Sequence, residues 1–135
     1  MHDVFISYSS EDQSFAEATR ALLREEGIHT WMAPYDIPPG SKYAFVINDA
    51  IEGCACVLLL LTAKSQASQF VEREVERAIA NNKTIVSMHL DNSALNSGFK
   101  YFLGSGQIVP VKSIDKSSPA IQKILKSLCF IVNNE

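Results

Sequence analysis

The sequence predicts an α/β domain built on a parallel five-stranded sheet with helices packed against it. Three observations lead there. A strand, a helix and a second strand follow one another over residues 3–8, 10–26 and 28–32, the pattern of a βαβ unit. Residues 54–62, CACVLLLLT, are apolar on both faces, as a strand covered by helices on both sides must be. The alternation then runs to the end of the chain, giving about five strands and four or five helices.

Each element has a local reason. Residues 3–8, DVFISY, are short, apolar and rich in β-formers. Ser10 and Gln13 fit a capping box, and Glu11 and Asp12 suit the positive end of a helix dipole. Phe15, Ala18, Leu22 and Leu23 carry the apolar stripe of that helix, and Gly27 ends it. Residues 28–32, IHTWM, form the second strand, with Trp31 expected to pack in the sheet. Residues 33–41, APYDIPPGS, hold three prolines and a glycine, so they form a stiff loop. It follows a strand, at the sheet edge where open α/β folds bind ligands.

A second helix spans residues 42–52, with Phe45, Val46, Ile47, Ala50 and Ile51 apolar and Gly53 at its end. The third strand follows, with Cys54 and Cys56 expected on one face as small core residues. After a helix over 68–79, closed by Asn81 and Asn82, residues 84–90 form the fourth strand. Residues 91–106 are polar and read as loop, with a short helix around 99–103. Residues 108–111, IVPV, form a last strand at the sheet edge, where Pro110 does no harm. Ser117, Ser118 and Pro119 open a final helix with Ile121, Ile124, Leu125 and Leu128 inward. No repeat, low-complexity segment or boundary divides residues 1–135, which read as one domain.

Composition excludes several function classes. A net charge of −3 over 135 residues argues against nucleic acid as the main partner, since phosphate binding needs clustered Lys and Arg. No apolar run reaches membrane-span length, and the start lacks the basic and apolar regions of a signal peptide. Three cysteines, an odd number, suggest free thiols in a reducing compartment, and the expected location is the cytoplasm. With His2, His29 and His89 scattered and no second Cys pair, no metal site is expected.

The helix over 68–79 carries the most pointed chemistry. Val71, Val75, Ala78 and Ile79 recur at helical spacing and form one apolar stripe. At about 100° per residue, Glu72 and Glu76 fall on the wet side. Phe70, Glu74 and Arg77 fall at the border of the stripe. Glu74 therefore stands one turn after an aromatic ring, placed to be half-buried at the edge of a cleft. The plainer reading makes it one of several charges on an amphipathic helix, partnered by Arg73 or Arg77.

Four local patterns together resemble a TIR domain. They are DVFISYS at residues 3–9, WMAPYDIPPGS at 31–41, VLLLLT at 57–62 and FVEREV at 70–75. The Asp36-Ile37-Pro38-Pro39-Gly40 loop looks most like that of bacterial members. The resemblance implies a flavodoxin-like three-layer sandwich. It also implies one of two roles: assembly of TIR on TIR for signalling, or cleavage of NAD+ to nicotinamide and ADP-ribose or a cyclised isomer. Enzymatic members carry a glutamate on the helix after the third strand, four residues after an aromatic that is usually Trp. Here those positions hold Glu74 and Phe70; Phe keeps a stacking face but has no indole N–H.

The resemblance thus implies Glu74 as the catalytic carboxylate. Ser7, Tyr8, Ser9, Ala33, Pro34, Asp36, Ile37, Tyr43 and Phe70 would meet the substrate, and Pro38, Pro39, Gly40 and Ser41 would form an assembly loop. NAD+ would be substrate rather than cofactor, and no resident cofactor is expected. GxGxxG and Walker-type cradles are absent from the sequence. Expected partners are other TIR domains, in a homo-oligomer or filament, and a sensor domain outside this chain, in a bacterial defence or signalling system. The rival reading is a TIR interaction module without catalysis. A phosphoacceptor domain is disfavoured, because Glu11 and Asp12 after the first strand read better as helix-start charges.

Overall fold

The computed structural model describes residues 3–104 and 106–134. Met1, His2, Ser105 and Glu135, with the expectations that touch them, lie outside the described residues. Five strands form one sheet: β1 (Val4–Ser7), β2 (Thr30–Trp31), β3 (Cys56–Leu61), β4 (Thr84–His89) and β5 (Gln107–Pro110). All neighbouring pairs are parallel, in the order β2-β1-β3-β4-β5. The helices are α1 (Gln13–Glu25), α2 (Tyr43–Gly53), α3 (Ala63–Gln66), α4 (Gln69–Ala80), α5 (Ser97–Leu103) and α6 (Pro119–Asn133). This is the flavodoxin-like architecture, with its order reversal between β1 and β3.

Strand alternation sorts the core into two layers. Val4, Ile6, Cys56, Leu58, Leu60, Val86 and Met88 pack on one side, against Ala16, Leu22 and Leu23 of α1 and Ile121, Ile124, Leu125 and Leu128 of α6. Phe5, Trp31 and Val57 pack on the other side, against Ala50 and Ile51 of α2 and Ala78 of α4. Leu59 and Leu61 continue that second layer with Val71 and Val75 of α4 and Phe99 and Leu103 of α5. Every residue of β3 is fully buried, which is why its sequence shows no polar alternation. Trp31 stacks on Phe5, with ring centroids 5.1 Å apart and planes 7° from parallel.

Some local expectations are corrected. Ala18 is exposed, and Ala16 and Thr19 are buried in its place with Leu22 and Leu23. The buried face of α1 is therefore turned slightly from the stripe that its apolar residues suggest. The Ser10–Gln13 capping box does not form; Ser9 instead accepts from the Glu11 amide and caps a turn of 3-10 helix over Ser10–Asp12. A reciprocal box forms at Thr62 and Ser65, starting the one-turn helix α3 that the sequence reading leaves as a lead-in. The second strand keeps only Thr30 and Trp31, paired with Val4 and Phe5 of β1.

Cys54 and Cys56 are both buried, but in opposite layers, since Cys54 precedes the strand at the end of α2. Ile79 is 41% exposed and lies at the rim of the α4 stripe. Phe45 is 67% exposed and turns away from the core. Pro110 does end the edge strand β5.

α4 starts cleanly. Ser68 is its N-cap and accepts from the Val71 amide at 3.3 Å. Ser68→Ala should cost about 1 kcal/mol, read as a lower urea midpoint at unchanged slope. An unchanged midpoint would mean that tertiary packing alone fixes the start of this helix.

Candidate active site

Ser7 is the last residue of β1, and its neighbour in β3 is Leu59. Alternation from Phe5 turns Ser7 towards the α2–α4 side of the sheet. Glu74, midway along α4 at the border of its buried face, reaches the same point. The Ser7 hydroxyl donates to Glu74 Oε1 at 2.7 Å. Ser7 is fully buried and Glu74 partly so. The carboxyl thus sits over the carboxyl end of β1, at the switch point where open α/β sheets take ligands. Burial pushes it up to about 7, against the opposing pull of the Ser7 hydrogen bond. It can therefore change charge near neutral pH.

The loop after β2 closes one side. Met32 N donates to Asp36 Oδ2 at 2.9 Å, and Asp36 N donates to Met32 O at 3.1 Å. The loop is thus closed on its own backbone around Pro34, ahead of Pro38 and Pro39. The Ala33–Pro34 peptide is cis. The Tyr8 hydroxyl donates to Ala33 O. Burial raises the Tyr8 phenol, with Tyr35, Glu17 and Glu74 adding to the effect, so it stays protonated and keeps that bond. Tyr35 is held on α1: its hydroxyl donates to Glu17, and the Arg20 guanidinium lies 4.8 Å from its ring centroid. Ala33 and Ile37 pack on the Phe5–Trp31 layer.

The loop tip is a tight turn. Ser41 N donates to Pro38 O at 3.2 Å, with Pro39 and Gly40 in the central positions and Gly40 at φ +81°. That is the signature of a type II turn, which wants Pro then Gly. A Cβ on Gly40 would meet nothing within 4 Å, so the requirement is for the backbone angle and not for space. Pro38, Pro39 and Gly40 are exposed.

The sequence-derived candidates are therefore sorted by the fold. Ser7, Tyr8, Ala33 and Glu74 are brought together. Ser9 is buried and occupied in capping. The Asp36 carboxylate is turned onto the Met32 amide, a structural task in this state. Pro34 is exposed in the loop. Tyr43 and Phe70, 62% and 71% exposed, stand at the starts of the neighbouring helices α2 and α4 and offer free ring faces. Sequence reading missed the Glu17–Tyr35–Arg20 anchor. Gln13, Glu17 and Arg20 lie along one side of α1, but nothing local says that a tyrosine from the loop will meet them.

Sequence reading also missed Asp12, buried and accepting from Thr62 Oγ1 at 2.6 Å. Among the described residues no group of three or more His, Cys, Asp or Glu is placed to hold a metal. No helix of the described residues is long and apolar enough to cross a membrane.

A family model described as "TIR domain" matches residues 4–125, and the chain belongs to that family. A search of the curated proteins gives no match. Solved structures show the same fold at low identity. The TIR domain of the Toll-related receptor TRR-2 from Hydra magnipapillata aligns with a TM-score of 0.80 at 19% identity, covering 96% of this chain and 99% of that one. The RPS4 and RRS1 TIR domain heterodimer aligns at 0.70 and 19%, covering 98% and 99%. The Clostridium botulinum CMP N-glycosidase BcmB aligns at 0.62 and 16%, covering 90% and 97%.

Proposed function

We propose that this TIR domain is an NAD+ nucleosidase of the bacterial type, with Glu74 as the catalytic carboxylate. The observation that carries the reading is the Glu74–Ser7 pair: a partly buried carboxyl, pushed up to about 7, at the switch point of the sheet. Breaking the nicotinamide–ribose bond develops an oxocarbenium-like ribosyl cation, as in glycoside cleavage. The leaving group departs from a cationic state as a neutral base, so no general acid is required. A carboxylate beside the ribose stabilises the cation and accepts hydrogen bonds from its hydroxyls, the more so where water is excluded.

The cationic pyridinium of NAD+ beside Glu74 favours its ionised form, so substrate binding itself charges the catalytic group. Phe70 and Tyr43 supply exposed ring faces for the nicotinamide, and Ser7, Tyr8 and the 33–37 segment border the ribose. Ala33, Pro34, Asp36 and Ile37 act as one wall, which Tyr35 holds in place. NAD+ is substrate, with no resident cofactor. The neighbour named as a CMP N-glycosidase supports the reading to the extent that its name states cleavage of a base–ribose bond on this fold.

Activity is tied to assembly of TIR on TIR in the cytoplasm, in a defence or signalling system with a sensor domain outside these residues. The exposed type II turn at Pro38–Ser41 supports this: it is rigid, apolar and has few partners of its own. A head-to-tail contact through it generates open filaments. Gly40→Ala should reduce high-concentration sedimentation and turnover together, by straining the turn. Unchanged sedimentation would remove the loop from the assembly contact.

The deciding assay is NAD+ consumption with products resolved by chromatography, for the wild type and Glu74→Ala at high protein concentration. Turnover that vanishes in a folded Glu74→Ala establishes the reading. Equal turnover in both refutes Glu74, and none in either favours the interaction module without catalysis.

A further inference from the structure

A second cleft lies on the other flank of α4. It opens between the end of α4, the end of α5 and the amino halves of β4 and β5, with a volume of about 260 Å³. Ile79, Ile85, Phe102 and Leu103 form its apolar walls. Glu74 and Ile79 are five residues apart, about 140° around the helix, so α4 separates this cleft from the Ser7–Glu74 site. Phe102 presents a fixed ring, held edge-on by Phe99 at 5.8 Å and Tyr101 at 6.1 Å between centroids.

Ser87 lies among these walls. It alternates with Val86 and Met88 and so faces the α4–α5 side, beside Leu59 and Ile108. It is 1% exposed, and its Oγ has no hydrogen-bond partner. A buried hydroxyl without a partner is unfavourable, and Ser87 is among the residues that line the cleft. Among the described lining residues the one charged group is Lys83, whose Nζ already donates to Cys54 O at 2.8 Å.

We propose that this cleft binds a small uncharged aromatic amide. A serine hydroxyl is both donor and acceptor. A primary carboxamide answers both, with its carbonyl accepting from Ser87 and its N–H donating back. A carboxylate could only accept, so it would leave the acceptor side of the Ser87 hydroxyl unused. A bare hydrocarbon would leave Ser87 unpartnered. The volume is just below that of drug-sized pockets and suits one ring with one substituent. This proposal does not depend on NAD+ cleavage.

The test is an NMR titration of the isotopically labelled chain with benzamide, and with toluene as the hydrocarbon control. The expected result is saturable shifts at Ser87, Ile85 and Phe102, in the millimolar range, with benzamide at least fivefold tighter than toluene. Ser87→Ala should lose that preference while keeping a folded spectrum. Ile79→Trp should block the mouth from its exposed rim and abolish the shifts. Shifts confined to Ser7 and Glu74, or no shift up to the solubility of benzamide, would overturn the proposal. So would equal affinity for the two probes, or binding unchanged in either variant.

Discussion

Glu74→Gln should lose at least about 100-fold in NAD+ turnover, the scale of removing one preorganised electrostatic group from a reacting centre. Gln keeps the size and can still accept from Ser7, whose hydroxyl donates to Oε1, so the loss isolates the charge. The pH dependence gives an independent reading. In the free enzyme Glu74 ionises near 7, and the ionised form is the active one. Wild-type kcat/KM should therefore climb with pH and level off above that value, while the residual activity of Glu74→Gln should stay flat. A wild-type profile that is flat from pH 5 to 9 would show that the charge of Glu74 does not govern the reaction, however large the loss in the variant.

The same substitution should stabilise the resting protein, in a pH window fixed by that carboxyl. Its folded-state value of about 7 lies above the ordinary 4.5. Between these two values the folded chain binds more protons than the unfolded chain, so wild-type stability falls as pH rises. Below about pH 4.5 both states are protonated and the penalty is absent. Above about pH 7 it is fully present. At about 1.4 kcal/mol per pH unit, the gap between these two values sets an upper bound of about 3 to 4 kcal/mol, reduced by water at the open side of the site.

Glu74→Gln should thus unfold at higher denaturant than the wild type at pH 8 and at about the same denaturant at pH 4. Equal midpoints at both pH values would show that Glu74 is better solvated than its place against Ser7 implies. A gain in stability paired with a loss of turnover marks a group held in an unfavourable environment for chemistry rather than for folding.

How much of this was readable beforehand follows from where each signal resides. The alternation of strands and helices, the doubly buried β3, the stiff loop and the edge position of Pro110 are local or periodic features, and the sequence carries them directly. Glu74 at the border of an apolar stripe is also a periodic fact. The resemblance of residues 3–9, 31–41, 57–62 and 70–75 to TIR domains agrees with the family match over residues 4–125. The Pro39–Gly40 order spells out a type II turn, and Gly40 at φ +81° adopts it.

Contacts between distant segments were not readable. Ser7 and Glu74 are 67 positions apart, Asp12 and Thr62 are 50 apart, and Tyr35 meets Glu17 across 18. Each depends on which helix face turns inward. In α1 that face was displaced from the apolar pattern, leaving Ala18 out and Thr19 in. Cys54 and Cys56 entered opposite layers because one lay just outside the strand. The sequence by itself determined the elements, their order and the loop's stiffness, since these arise from torsional preference and hydrophobic period. Only the tertiary structure decided that a glutamate would meet a serine at the end of β1 and be desolvated there. Burial and hydrogen-bond partners belong to the packed sheet and its helices, and no single segment holds them.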